Sequence, residues 1–97
     1  KIRLASTKKG YFTMSWAKDP KATSYQILYT TNANGSGAAQ NLTGVAASKT
    51  SFTTNKFRNG TKFKSGQTIY VQIREVKTVG GINYIGNISC PVAVKIK

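Results

Sequence analysis

Apolar and polar residues alternate in segment after segment of this 97-residue chain, and that period of two is what most narrows its fold. Phe12, Met14 and Trp16 alternate with Thr13 and Ser15, and Tyr25, Ile27 and Tyr29 with Gln26 and Thr30. Ile69, Val71 and Ile73 repeat the pattern, as do Val92, Val94 and Ile96, with Ile2 and Leu4 as a shorter version. Successive side chains of a strand point to opposite faces, so each segment presents an apolar face that must be buried. Apolar residues nowhere recur at helical spacing over three turns. The breaks at Lys9-Gly10, Asp19-Pro20, Asn32 to Gly37, Asn59-Gly60, Ser65-Gly66 and Gly80-Gly81 carry turn-forming residues. The spacing predicts strands near 2–6, 11–17, 24–31, 40–45, 50–54, 67–77 and 88–96. Short strands between such breaks indicate an all-β chain, a sandwich or a barrel. The stretch 55–66 reads as a long connection pinned by Phe57 and Phe63.

Composition narrows the chemistry. Fifteen Lys and Arg stand against two acidic residues, a net charge of +13, and His is absent. A chain without His lacks the commonest general base and the commonest metal ligand. Asp19 and Glu75 form the only carboxylate pair available for glycoside hydrolysis, and two carboxylates are too few for a tight calcium site. Cys90 is the only thiol, which excludes an intrachain disulfide and a Cys-rich zinc site; it is expected to be a small core residue at the start of a strand. Gly35-Ser36-Gly37 lacks the Lys and Ser/Thr of a phosphate-binding loop and is predicted to be a turn. No catalytic, cofactor-binding or metal-binding residues are therefore assigned, and no enzyme is expected. No apolar run is long enough to span a membrane. One domain is expected over 1–97, cut from a larger multidomain protein because no initiator Met opens it.

Several segments together resemble a fibronectin type III domain, most closely the Lys-rich variety of Gram-positive surface and secreted proteins. They are Ser15-Trp16, then Ala22-Thr23-Ser24-Tyr25-Gln26-Ile27-Leu28-Tyr29 before an Asn/Gly loop, then Thr50-Ser51-Phe52-Thr53 and Gly66 to Arg74. The resemblance implies a seven-stranded antiparallel immunoglobulin-like β-sandwich. It also implies an extracellular, secreted or cell-surface location, and neighbouring domains of the same polypeptide as partners. The departures are specific. Ile69 holds the inward position where the family has a corner Tyr, leaving Tyr70 outward. The link into that strand is long, with Phe57 in the usual Leu position and no Pro. The segment Thr78 to Tyr84 contains no Arg-Gly-Asp triplet.

The implied topology suggests two candidate sites. Lys8, Lys9, Lys56, Arg58, Lys62 and Lys64 would gather at one loop pole with Lys95 and Lys97 nearby, able to attract an anionic cell-wall polymer, a sulfated glycan or another polyanion. Leu28, Tyr70 and Arg74 would share an exposed sheet face suited to a partner contact. Nucleic acid is the least favoured polyanion, because neither a basic helix nor an aromatic-and-basic sheet motif is present. The resemblance points to a structural spacer, with polyanion binding as the alternative.

Overall fold

The computed structural model describes residues 2–97. Its strands are β1 (Ile2–Ala5), β2 (Phe12–Trp16), β3 (Ser24–Thr30), β4 (Thr43–Ala46), β5 (Ser51–Thr54), β6 (Thr68–Val79), β7 (Ile82–Ile85) and β8 (Val92–Lys95), with one 3-10 turn at Ala38–Asn41. One antiparallel sheet has the order β1-β2-β5. The other runs β4-β3-β6, and β7 and β8 share the far edge of β6.

The alternating apolar residues meet between these sheets. Phe12, Met14 and Trp16 of β2 pack in one cluster with Tyr25, Ile27 and Tyr29 of β3, Ile69 and Val71 of β6, Val94, Ile96 and Phe63. Removing such side chains from water stabilises the fold by about 1.5–3 kcal/mol each before conformational entropy is counted. Trp16 meets Tyr25 edge-on at 5.4 Å, and Phe12 meets Tyr29 edge-on at 5.8 Å. The Trp16 Nε1 is buried without a hydrogen-bond partner among the described residues. Ile73, also predicted inward, and Phe52 of β5 are half-buried against the same cluster.

The described residues form eight strands rather than the expected seven, because the segment between the predicted strands 67–77 and 88–96 holds a strand of its own, β7, and the last predicted strand is shortened to β8. Gly80 and Gly81 both adopt positive φ, 57° and 80°, as a two-residue hairpin turn requires. β6 therefore runs on to Val79, and the chain returns at once as β7, pairing Val79 with Ile82 and Val76 with Ile85. β8 pairs with the other end of β6, from Val71↔Val92 to Thr68↔Lys95. Between them, residues 86–91 face only residues 72–75 of β6, so the longer segment bulges. Ser89 fastens it: its N–H donates to the Ile73 carbonyl at 2.9 Å, and its Oγ accepts from the Ile73 N–H at 2.9 Å. Two inward expectations fail here. Cys90 lies exposed in the bulge, and Val92 at its margin is 38% exposed.

Strand register defines the two poles. Phe12 lies opposite Thr54, Thr30 opposite Tyr70, and Thr68 opposite Lys95. The connections 6–11, 31–42 and 55–67 and the last residues therefore share one end. Ile2 lies opposite Trp16, so β1 begins at the other end, with the connections 17–23 and 47–50 and the Gly80-Gly81 turn.

Candidate functional site at the cationic loop pole

Two short triplets, Lys56-Phe57-Arg58 and Lys62-Phe63-Lys64, explain how the long 55–67 connection carries its charge. In each, the central ring turns inward and the flanking cations remain exposed. Phe63 stacks on Phe12 at 5.6 Å and meets Phe57 edge-on at 4.8 Å; Phe57 in turn stacks on Tyr29 at 6.2 Å. The backbone closes on itself through Phe57 N–H to Thr61 O and Phe63 N–H to Asn55 O. The Tyr29 hydroxyl donates to the Lys56 carbonyl at 3.2 Å, tying the segment to the central strand of the other sheet.

The closure sets Lys56 directly opposite Lys62 as an isolated antiparallel bridge. Like charges paired across strands repel, and a bound anion would relieve that repulsion. The remaining predicted cations sit close by through backbone contacts. Gly10 N–H donates to Lys97 O, Gly66 N–H to Ile96 O, and Ile96 N–H to Gln67 O, which joins the Lys8–Gly10 turn, the chain's end and the Lys64–Gln67 turn. Lys8 is partly engaged, its ammonium 4.5 Å from the centre of the Tyr11 ring. Arg58 is also engaged: its Nη1 donates to Leu42 O at 2.7 Å and its N–H to Asn41 Oδ1 at 3.1 Å. Arg58 is thus first a tie to the 31–42 connection, and Lys9, Lys56, Lys62 and Lys64 present the exposed charge.

The second predicted surface is not one. Leu28 is 3% exposed, and its register neighbour Gln72 is buried with it. The 31–41 connection folds back over this outer face. Thr30 Oγ1 and Asn32 Nδ2 both donate to the Ser36 carbonyl, and Gly35 lies so close that a Cβ there would sit 2.7 Å from Gln72 Oε1. Tyr70 and Arg74 remain half-buried on either side of the covered pair, and Arg74 Nε donates to Gln26 Oε1 at 2.6 Å. Alternation assigned Leu28 to the right face; a returning loop then covered it.

The structure also brings together Asp19 and Glu75, at the pole opposite the basic cluster. Lys21 N–H donates to Asp19 Oδ1 at 2.9 Å, and this bond, with the neighbouring Glu75 carboxyl, holds Asp19 below the usual carboxylate range. Glu75 is pushed up, first by desolvation and then by Asp19. No group of three or more potential metal-ligating side chains occurs among the described residues. The chain matches no protein-family model and no curated protein.

Proposed function

We propose that this chain is a non-catalytic, fibronectin type III-like module that spaces neighbouring domains of an extracellular or surface-attached bacterial protein. The observation that supports this reading is the strand order β1-β2-β5 against β4-β3-β6 with β7 and β8 both on the far edge of β6, three strands facing five, which becomes three on four when β7 and β8 are counted as halves of one final strand. The first and last strands point out of opposite poles of a body 43 Å long and 23 Å across. Such a body transmits length and orientation through packed sheets and needs no ligand. Deleting the module from its parent polypeptide should shorten the particle by roughly one module length in small-angle X-ray scattering while the flanking domains stay folded. A parent chain consisting of this domain alone would overturn the reading.

The Lys56–Lys62 juxtaposition favours a second reading, electrostatic capture of a cell-wall polymer or sulfated glycan by the basic pole. Heparin binding should weaken linearly with the logarithm of salt, with a slope of about −0.7 to −0.9 per neutralised anionic group by analogy with nucleic acid. Reversing Lys56, Lys62 and Lys64 to Glu should abolish binding, whereas reversing Lys18, Lys21 and Lys49 should change it little. Absence of binding at low salt would end this reading.

A further inference from the structure

The large apolar side chains exposed to solvent fall in one part of the chain: Val79, Ile82, Tyr84, Ile85, Ile88 and Val92. They belong to a stretch, 78–94, that contains no charged residue although the chain carries +13. Pairing between β3 and β6 ends at Ser24↔Val76, so beyond that point β6 and β7 form a two-stranded ribbon. The ribbon is braced at its base, where Thr78 N–H donates to Thr23 Oγ1 at 2.8 Å and Thr23 N–H to Val76 O at 2.8 Å. Continuing the alternation of Ile69 and Val71 places Val79, with its partner Ile82, and Lys77, with its partner Tyr84, on the face that forms the core lower down. At this height no strand of the β1-β2-β5 sheet faces them, and Ile82 and Tyr84 are 58% and 57% exposed. Ile85 occupies the opposite face and is exposed too, beside the polar Thr78–Asn83 pair, so the apolar surface is concentrated on the face of Val79, Ile82 and Tyr84.

β7 is also a sheet edge: among the described residues it pairs with β6 alone. Soluble proteins usually protect such edges with charges, Lys above all, with Pro, or with a bulge. No such device lies within Ile82–Ile85, and a two-stranded ribbon by itself is marginal in water. A third strand on the free edge would complete the backbone pairing and cover the apolar face, the strand-addition mode of peptide recognition.

We propose that β7 is a docking edge for an extended, acidic segment of another protein, which adds as a strand beside Ile82–Ile85. Charge selects the occupant. A second copy would set +13 against +13, whereas an acidic partner is drawn to the cationic body; beside the edge itself, Lys21 and Lys77 line one cavity with Tyr84 and Ile85 and offset the Asp19 and Glu75 carboxylates there. This inference is independent of the spacer reading.

Three synthetic peptides test it on the intact chain: one alternating valine and threonine with paired glutamates at each end, its lysine-ended counterpart, and a glutamate-ended version interrupted by proline. The glutamate-ended peptide should slow exchange of those Ile82–Ile85 amides that do not bond to β6. The lysine-ended peptide should bind at least about tenfold more weakly, and the proline version should give no protection. Ile82→Lys and, separately, Tyr84→Lys should abolish binding with an unchanged melting transition; both add positive charge, so their loss cannot be ascribed to weaker attraction. Failure to protect β7 amides, or shifts confined to the Lys56–Lys62 pole, overturns the proposal. A peptide-free dimer that Tyr84→Lys dissociates overturns it in favour of a second copy.

Discussion

Two long stretches of this cationic chain, 22–48 and 78–94, contain no charged residue, and the fold treats them in opposite ways. In the first, Tyr25, Ile27, Leu28 and Tyr29 are all buried; in the second, Ile82, Tyr84 and Ile85 are more than half exposed. β3 lies between β4 and β6, with the other sheet on one face and the 31–41 connection on part of the other. β7 hangs on the edge of β6 beyond the reach of the opposing sheet. Lack of charge is therefore permissive: it allows a strand to be buried, and neighbours on both faces decide whether it is.

The largest test of this contrast substitutes one isoleucine in each stretch. Ile27→Ala should cost about 2–5 kcal/mol, since Ile27 is fully buried and its cavity would be lined by core rings. Ile82→Ala should stay within about 0.5 kcal/mol, the range of ordinary surface substitutions. Urea unfolding compares them directly, and equal losses would show that the ribbon is packed after all. Hydrogen exchange should agree, with β3 amides opening only with the whole molecule and β7 amides opening by local fraying.

A glycine pair gives a smaller effect. Gly35 and Gly81 share a φ of 80°, but a Cβ at Gly35 would press on Gln72 whereas Gly81 has open space around it. Each change to Ala incurs the left-handed penalty of about 1–2 kcal/mol. Gly35→Ala should cost more, and its excess in thermal unfolding measures how firmly the 31–41 connection is pressed onto Gln72 of β6. An equal cost would mean that the connection lifts away freely.

The smallest effect lies at the foot of the ribbon, where Gly86 N–H donates to the Glu75 carbonyl. Glu75 has a raised folded-state pKa, so its contribution is complete below the unfolded value and is lost as pH rises through the folded one. Asp19 has a lowered pKa, and its contribution is present above the unfolded value and lost as pH falls through the folded one. Acidification from neutrality should first stabilise the chain slightly, then destabilise it in the range where Asp19 takes up its proton. Glu75→Gln should remove the first limb and keep the second, with a change within about 0.5 kcal/mol at pH 7 because the side chain is exposed. Melting temperatures across pH 3–8 would show it. An undiminished first limb in Glu75→Gln would assign that limb to another group.

Much of this was legible in the residues. The alternation located β1, β2, β3, β6 and β8 to within a few positions, since each has side chains against the same core, and the turn residues bounded β5. The two Lys/Arg-flanked phenylalanines marked the basic connection. β7 is legible as well: Thr78-Val79, Gly80-Gly81 and Ile82 to Ile85 form a strand, a two-residue turn and a strand. Leu28, Cys90 and the Asp19–Glu75 pair were not legible, because each depends on a segment that is remote in sequence or on a bulge whose depth no local pattern encodes.

By itself, the order of side chains determined an all-β chain with one aromatic core and a large excess of positive charge, because period and composition are local properties. Only the tertiary structure decided that a loop would cover Leu28, that Lys56 would face Lys62, and that the uncharged strand β7 would stand in solvent. Those outcomes depend on how far the opposing sheet reaches and where distant backbone lies, and strand alternation encodes neither.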